Sequence, residues 1–404
     1  MNDLTPEELQ AYPPDDMFAF ARGVARSIVP AHLPKTEEVE CTALHIPCNS
    51  VGGDLYDVVR LSDTLLAFFI FDVAGHGVQA ALIASMAKVS VLRHLQATVP
   101  PRAVMERVNA DIKLAFDGRC HLTAVIGYLD LHNNRLAYCN AGHAYPLVFK
   151  KENGALEMLK SSGLLVGMFD DGHFEEKQLF LAPGDWLTIF SNGIFELFSS
   201  ESELDGRASF ERFLRENVPL QNPSHLLDSL KTRYLAPTQD TQLRDDLTML
   251  IIEVLVQSRK DRIKTDLGFA VGDPVYVQFM SYFEEMDRAA AVILREMDEF
   301  GYADDSIRKM KIALTELFAN AIYHGNNKDY TKKVTIGHLI TKEVARVSIM
   351  DEGEGFDLAQ VPDPTLPENL EKDCGRGIFI VNSYVDKIEY NAQGNRATIW
   401  KRHQ

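Results

Sequence analysis

Residues 64–77, TLLAFFIFDVAGHG, carry the clearest folding signal in the chain. The apolar run from Leu65 to Phe71 has the length of one buried β-strand, and it ends in Asp72. Glycines follow, and the next residues, GVQAALIASMAKVSVLRHL, have helical character. The pattern therefore predicts a strand that places a carboxylate at its end, followed by a helix.

Similar short runs, rich in β-branched and aromatic residues, surround this strand. They are VECTALHIP, HLTAVIGYLDL, RLAYCNAG, YPLVFKK, WLTIFSNG and LTMLIIEVLV. After the polar stretch QSRKDRIKTD the order changes to a strand, two helices, two strands, a glycine-rich loop, a helix and paired strands. We expect an α/β chain with a helical lead over residues 1–34, domains over 35–257 and 268–404, and a linker over 258–267.

Composition limits the classes of function. The 404 residues exceed the usual size of one hydrophobic core. A net charge of −17 argues against a nucleic-acid or anionic-membrane surface, because both need basic patches. No apolar stretch approaches the roughly 20 residues that cross a bilayer, and the acidic N-terminus lacks a signal-peptide core. Five scattered cysteines fit a reducing environment, so we expect a cytoplasmic protein.

Three aspartates stand at the ends of strand-like runs in the first half: Asp54 in GGDLYD, Asp72 in FDVAGHG and Asp245 in RDDLT. Hard cations such as Mg²⁺ and Mn²⁺ prefer oxygen ligands. Two such ions about 4 Å apart can activate a water and clamp a phosphoryl group. Any one acid of this kind is more often a turn or cap residue, so the inference depends on their combination.

Five motifs, VGGDLYD, FDVAGHG, YCNAGHAYPLVF, SNG and RDDLTMLIIEV, follow the order seen in the PPM-type metal-dependent serine/threonine phosphatases. Over residues 20–257 the chain resembles their SpoIIE-like branch. The resemblance implies a β-sandwich flanked by helices that binds two Mn²⁺ or Mg²⁺ ions. Asp72 would bridge both ions. Asp54 and the carbonyl of Val73 would hold one ion, and Asp245 the other.

The same resemblance gives roles to nearby residues. His76 would help protonate the leaving oxygen, or would only start the next helix, and Asp246 would support the ligands. One departure concerns Asn192, since the family has SDG where this chain has SNG. An amide oxygen carries no charge, so the ion shared with Asp245 should bind more weakly. The site would then need more metal, prefer Mn²⁺, or be inactive.

In the second half, the helix RKMKIALTELFANAIYHG spaces Glu316, Asn320 and His324 at i, i+4 and i+8 on one face. Asn320 offers an amide oxygen to Mg²⁺, and Glu316 could accept a proton from an attacking hydroxyl. A polar stripe of this kind is more often a solvated helix face. The glycine-rich segments MDEGEG and CGRGI strengthen the functional interpretation.

These segments resemble the N box and the two glycine boxes of GHKL-type ATPases and kinases, over residues 268–403. The resemblance implies an α/β sandwich that binds ATP and Mg²⁺, with compact length similar to the anti-sigma-factor serine kinases. Glu316 would be the catalytic base and Asn320 the Mg²⁺ ligand. Asp351 would accept a hydrogen bond from adenine. The remaining nucleotide-binding residues would be His324, Gly353, Gly355, Gly375, Arg376 and Gly377.

Together the two resemblances imply a bifunctional regulator of a bacterial partner-switching pathway. One domain would phosphorylate a serine or threonine of a STAS-domain anti-sigma-factor antagonist, and the other would dephosphorylate it. Further partners would be a sigma factor, an upstream sensor protein and a second copy bound through the N-terminal helix. Two alternatives stay open: a kinase with a degenerate phosphatase domain, and a non-enzymatic module that sequesters a sigma factor.

Overall fold

The computed structural model describes residues 28–30, 33–34, 36–49, 51–62, 64–75, 77–198, 203–220, 222–235, 243–329, 332–356 and 376–403. The chain divides into two compact units, the first containing residues 38–255 and the second residues 256–404. The predicted helical lead lies almost entirely outside the described residues. No helix in these described ranges is both long and apolar enough to cross a membrane.

The first unit is built on two five-stranded antiparallel sheets. One has the order β1 (Val39–Ile46), β10 (Leu247–Val254), β9 (Trp186–Phe190), β6 (Leu147–Phe149), β7 (Leu156–Met158). The other has the order β2 (Leu55–Ser62), β3 (Leu65–Val73), β4 (Leu122–Asp130), β5 (Arg135–Ala141), β8 (Glu176–Phe180).

Strand β3 shows why its sequence is apolar throughout. Successive side chains of a strand point to opposite faces of the sheet. Phe68 and Ile70 enter the core between the two sheets. Phe69 and Phe71 enter a second core, formed with the helices α1 (Gly77–His94) and α2 (Pro101–Phe116). Both faces of β3 are therefore buried.

Three further helices cover the outer face of the other sheet. They are α3 (Gly193–Phe198), α4 (Glu203–Asn217) and α5 (Pro223–Leu230). Phe190 of β9 packs edge-on against Phe210 of α4, with ring centroids 5.0 Å apart, in a core that excludes water. The predicted β-sandwich flanked by helices is confirmed.

The second unit has one five-stranded antiparallel sheet covered by helices. The strand order is β11 (Tyr276–Met280), β12 (Val334–Ile340), β13 (Val344–Met350), β15 (Arg396–Arg402), β14 (Lys387–Tyr390). Helices α7 (Met286–Glu299), α8 (Asp304–Asn320) and α9 (Arg376–Tyr384) share a core with the sheet. This unit is the predicted α/β sandwich.

The stretch expected to be a linker, residues 258–267, is instead part of helix α6 (Gln257–Asp266) and belongs to the second unit. Two arginines from distant strands hold its C-terminal end. Arg396 donates to the carbonyl of Asp266 at 2.7 Å, and Arg346 donates to the carbonyl of Gly268 at 2.6 Å. Cations at a helix C-terminus are stabilising, so tertiary contacts fix a stretch that is polar in sequence.

Candidate metal and nucleotide sites

The predicted metal-binding aspartates of the first unit lie close enough to repel one another. Burial, and then the charge of Asp72, raises the pKa of Asp54 well above its usual range. Burial raises the pKa of Asp72 to about 6, with contributions from Asp245 and Asp246. Asp72, in β3, therefore lies near enough to Asp54, just before β2, and to Asp245, just before β10, for their charges to interact.

Two glycines allow this close approach. A Cβ atom on Gly53 would lie 3.0 Å from the carbonyl oxygen of Val73, so that carbonyl faces the backbone next to Asp54. A Cβ atom on Gly52 would overlap the carboxylate of Asp246. The GGD sequence thus seats one loop directly against the end of β3 and the start of β10.

Asp246 has the supporting role that the sequence suggested for it. Its carboxylate accepts hydrogen bonds from the backbone N–H of Cys48 at 2.8 Å and of Asp54 at 3.1 Å. Asp246 is buried just before β10, and both bonds connect it to the loop before β2. It therefore holds the loop that carries Asp54.

The donor set fits a hard cation. Within the described ranges, no lysine or arginine forms an ion pair with these four carboxylates, so their shared negative charge is not compensated by the protein. No three histidine, cysteine or acidic side chains of the described residues converge on one ion-sized position by themselves. This arrangement suits Mg²⁺ or Mn²⁺, since Mg²⁺ usually takes one or two carboxylates and keeps several waters.

Asn192 follows β9 in an exposed turn. Its backbone carbonyl accepts a hydrogen bond from Phe195 as α3 begins. The next residue, Gly193, packs so tightly on the carbonyl of Asp246 that a Cβ atom would overlap it. The backbone around Asn192 is therefore fixed beside the acidic group. His76, the predicted proton donor, lies outside the described residues.

Sequence reasoning missed a set of uncharged groups around Asp54. The hydroxyl of Thr248 donates to Asp54 Oδ2 at 2.7 Å. Ser191 Oγ accepts from the Thr248 N–H at 3.0 Å and donates to the carbonyl of Asp246 at 3.1 Å. His45 Nδ1 lies 2.9 Å from the Thr248 hydroxyl. The available signal was the position of Thr248 in β10, two residues after Asp246.

A cleft of about 860 Å³ opens beside Asp54. Its walls are the end of β1, the loop before β2, and helix α1. The lining is about evenly polar and apolar, and its polar side chains include His45, Ser85 and Lys231.

Asn140 and His143 of the NAGH stretch make structural contacts. Asn140 accepts from the backbone N–H of His143 at 2.8 Å and donates to its carbonyl at 3.1 Å. The His143 ring bridges Thr123 Oγ1 and the carbonyl of Phe190, at 2.6 Å and 3.1 Å. This histidine therefore joins the two sheets of the sandwich.

In the second unit, the first turn of α9 closes on helix α8. Glu316 and Asn320 are both partly buried on α8. A Cβ atom on Gly377 would lie 2.9 Å from Glu316 Oε2 and 3.4 Å from Asn320 Nδ2. The structure thus brings the predicted base, the predicted Mg²⁺ ligand and the second glycine box together. Gly375 and the side chain of Arg376 lie outside the described residues.

Asp351, which is predicted to accept a hydrogen bond from adenine, lies in a pocket formed by glycines. Its Oδ1 accepts from the N–H of Gly353 at 2.8 Å, and Gly325 packs directly on its carboxyl group. Burial raises the pKa of Asp351, and the Gly353 N–H partly offsets that effect. Gly355, at φ +80°, packs against the carbonyl of Gln393 in the turn between β14 and β15.

Helix α8 does not continue as a regular helix to His324. It ends at Asn320, and the next turn (Ala321–Gly325) is π-helical. The predicted i+8 spacing from Glu316 to His324 therefore spans an α-helical turn and a π-helical turn. His324 is exposed. Turns of this kind occur often at functional sites, and here the turn seats Gly325 against Asp351.

Two asparagines near Asp351 were not predicted. Asn395 exchanges hydrogen bonds with the Asp351 backbone, donating from Nδ2 at 3.1 Å and accepting at its carbonyl at 3.0 Å. Asn326 accepts from the N–H of Glu352 at 2.9 Å. Its own Nδ2 is buried and has no hydrogen-bond partner in the described part of the chain. An unsatisfied buried donor beside Asp351 fits a pocket that takes a polar ligand.

Comparison with known protein families finds one match in each unit. Residues 62–255 match the family described as Stage II sporulation protein E (SpoIIE), and residues 281–401 match the histidine kinase-like ATPase domain. The chain joins a SpoIIE-family domain to a histidine kinase-like ATPase domain. These two matches support enzymatic activity.

Similar proteins cover one half or the other. Phosphoserine phosphatase RsbU of Bacillus subtilis is 24% identical over 57% of this chain and 68% of its own length. Protein IcfG of Synechocystis is 27% identical over 57% of this chain but only 40% of its own length. Serine-protein kinase RsbW of Oceanobacillus iheyensis is 30% identical over 24% of this chain and 65% of its own length.

Solved structures share the fold. The RsbU and RsbW domains of Rv1364c from Mycobacterium tuberculosis align over 93% of this chain and 96% of theirs, with a TM-score of 0.52 and 19% identity. The SiaA-PP2C domain of Pseudomonas aeruginosa aligns over 59% of this chain and 95% of its own, with a TM-score of 0.50 and 20% identity. At this identity the likeness concerns architecture.

Proposed function

We propose that this chain is a bifunctional regulator that adds phosphate to and removes it from a serine or threonine of a STAS-domain anti-sigma-factor antagonist. The observation that carries the proposal is the presence of both sites in one chain. Asp54 and Asp72 share uncompensated charge in the first unit, and Gly377 closes on Glu316 in the second. Similarity to RsbU in one half and RsbW in the other supports it.

In the phosphatase half, Asp72 would hold both divalent ions, Asp54 and the Val73 carbonyl one of them, and Asp245 with Asn192 the other. When bound, two Mn²⁺ or Mg²⁺ ions supply an activated water and neutralise charge on the phosphoryl group. The protein fixes its own oxygen donors: Asp246 holds the loop of Asp54, and Thr248 holds its carboxylate. The cleft beside Asp54 admits the phosphorylated segment of the partner.

In the kinase half, Asp351 would accept a hydrogen bond from the amino group of adenine. Asn320 would contribute an amide oxygen to Mg²⁺. The backbone N–H groups at the start of α9, with Arg376, would face the phosphates, because a helix N-terminus favours negative charge. Glu316 would take the proton of the attacking serine or threonine hydroxyl.

A second candidate function rests on Asn192. The missing carboxylate would weaken one ion and leave a kinase with a degenerate phosphatase domain. If both domains are active, their opposing reactions need a control. We propose that it enters through the N-terminal lead, from a separate sensor protein or a second copy of the chain, and that a sigma factor is an additional partner of the kinase domain.

The test mixes the purified full chain with STAS-domain proteins from its own genome. Phosphate transfer is followed with ATP and Mg²⁺, and phosphate release from the phosphorylated partner is followed with Mn²⁺. Glu316→Gln should lower transfer at least about 100-fold and leave release intact, since a general base contributes that much or more. Asp72→Asn should abolish release and leave transfer intact.

Matched controls separate these losses from general damage. Glu299→Gln and Asp117→Asn change exposed acids outside both sites and should behave as wild type. Transfer without release would favour the degenerate-phosphatase alternative. Failure of both reactions with every STAS protein would overturn the proposal.

A further inference from the structure

A continuous chain of hydrogen bonds runs from the cleft to Asp54. His45 and Thr248 are directly opposed in the β1–β10 ladder. His45 Nδ1 lies 2.9 Å from Thr248 Oγ1, and that hydroxyl donates to Asp54 Oδ2 at 2.7 Å. A hydroxyl has one hydrogen to give. Since Thr248 gives it to Asp54, His45 must be the donor to Thr248, with its proton on Nδ1.

Burial and hydrogen bonds hold the side chains of this hydrogen-bonded series in place. Thr248 is fully buried, and Asp54 is 4% exposed. The backbone N–H of Thr248 donates to Ser191 Oγ, which fixes the strand on the side away from His45. Burial lowers the pKa of His45, against the opposing effect of Asp246, so the imidazole is neutral near pH 7.

We propose that His45 is a positioning residue for the candidate metal site, orienting the Asp54 carboxylate through the Thr248 hydroxyl. The proposal rests on the phosphatase function proposed above. The groups that orient metal ligands usually contact them directly. Here His45 acts on Asp54 only through the Thr248 hydroxyl, and the His45 side chain also lines the cleft.

His45 and Thr248, the hydrogen-bonded groups that orient Asp54, are both uncharged, and this matters for binding a cation. An arginine or lysine in place of Thr248 would also orient Asp54, but it would compete with a cation for the same charge. A hydroxyl fixed by a neutral imidazole orders the carboxylate and leaves its negative charge for the ion. Without His45, the hydroxyl can rotate between Asp54 and other acceptors.

The experiment measures Mn²⁺ affinity of the full chain by titration calorimetry, a readout that does not depend on turnover. Thr248→Val should weaken binding about 10- to 100-fold, and His45→Phe about 10-fold, the range found for groups that orient ligands. The double variant should bind like Thr248→Val alone, because His45 acts only through that hydroxyl. Ser85→Ala, on another wall of the cleft, should bind like wild type.

Two further variants replace the ring by an amide. The amide nitrogen of asparagine can occupy the place of Nδ1, whereas that of glutamine extends toward Nε2. His45→Asn should therefore restore most of the affinity, and His45→Gln should not. If His45→Phe fails to fold, the comparison of His45→Asn with His45→Gln still tests the proposal.

The possible results separate the two proposals. Unchanged affinity in folded His45→Phe or His45→Gln overturns the positioning role alone. Losses that add in the double variant overturn the route through Thr248. No Mn²⁺ binding by the wild-type chain overturns the metal site, and the positioning role with it.

Discussion

The carboxylate of Glu316 lies so close to the backbone of Gly377 that a Cβ atom at residue 377 would be 2.9 Å from Oε2. That distance is shorter than real contacts of a Cβ atom allow, so one partner must move. The end of a glutamate side chain moves more easily than a helix backbone. Gly377 therefore sets the position of the proposed base.

Gly377→Ala should lower phosphate transfer by about 100-fold, the cost of displacing a reacting group by about 1 Å. ATP affinity should change little, because the alanine methyl group displaces Glu316 and not the proposed adenine pocket at Asp351. Initial rates with the STAS partner and binding of a fluorescent ATP analogue measure the two effects. Gly272→Ala, which meets no atom within 4 Å, is the matched control. Full activity of Gly377→Ala would contradict this reading of the contact.

Asp351→Asn should weaken ATP binding about 10- to 100-fold, the value of a hydrogen bond to a charged group. The N–H of Gly353 already occupies Oδ1. Asparagine would keep its oxygen for that bond and turn its NH₂ toward the adenine amino group, so two donors would meet. Titration of each protein with ATP measures the loss.

Inosine triphosphate makes the Asp351 test specific, because its base lacks the amino group. It should bind wild type more weakly than ATP does, and Asp351→Asn should discriminate little between the two nucleotides. Glu352→Gln changes the neighbouring acid and should keep the wild-type preference. An equal loss for both nucleotides in Asp351→Asn would show that Asp351 does not read adenine.

The sequence predicted those parts of the fold that depend on local pattern. Strand β3 is apolar over its whole length because both of its faces are buried, and that signal is visible in the sequence. Strand β2, LYDVVRLS, and helices α4 and α5 were not predicted. Helix α6 was taken for a linker, because its end is held by Arg346 and Arg396, far away in sequence.

In the candidate sites, too, some residues could be predicted from local motifs and others could not. Aspartates at strand ends and glycine-rich loops are visible as motifs, and the structure brings most of them together. The uncharged groups that orient them are not visible, because their bonds join distant parts of the sequence: the bond from Thr248 to Asp54 spans 194 positions. The π-helical turn from Ala321 to Gly325 was also not predicted, since helix periodicity assumes a constant turn.

Asn192→Asp should strengthen Mn²⁺ binding about tenfold, because the number of charged ligands is a main determinant of affinity for hard cations. Phosphate release should rise with it at limiting Mn²⁺. Without metal the variant should be less stable than wild type, since another carboxylate joins an already repelling group. Calorimetric titration and thermal unfolding with and without Mn²⁺ measure these effects.

Asn153→Asp is the control for Asn192→Asp. It adds the same charge in the turn between β6 and β7, where the side-chain oxygen accepts from Ala155 and an aspartate can do the same. Its Mn²⁺ affinity should match wild type. If both variants gained affinity equally, the effect would be one of net charge, and residue 192 would not be a ligand position.

The first unit should lose stability in mild acid because of His143. Burial lowers the pKa of His143 to about 4, from an ordinary value of 6.5. Between those values the unfolded chain binds a proton that the folded chain does not, so stability falls as pH falls. The loss approaches about 1.4 kcal/mol per pH unit within that window. Above it the contribution is constant.

Urea unfolding between pH 7.5 and pH 5 measures this slope. The chain has two tryptophans, Trp186 in the first unit and Trp400 in the second, so a Trp400→Phe background leaves fluorescence that reports on the first unit alone. His143→Gln should flatten the slope, while the exposed His132→Gln should leave it unchanged. The remaining slope should combine a loss in acid from His45, whose pKa is also lowered by burial, with an opposing gain from Asp72, whose pKa is raised to about 6. An unaltered slope in His143→Gln would mean that this ring is not the titrating group, and that the bridge between Thr123 and Phe190 survives its protonation.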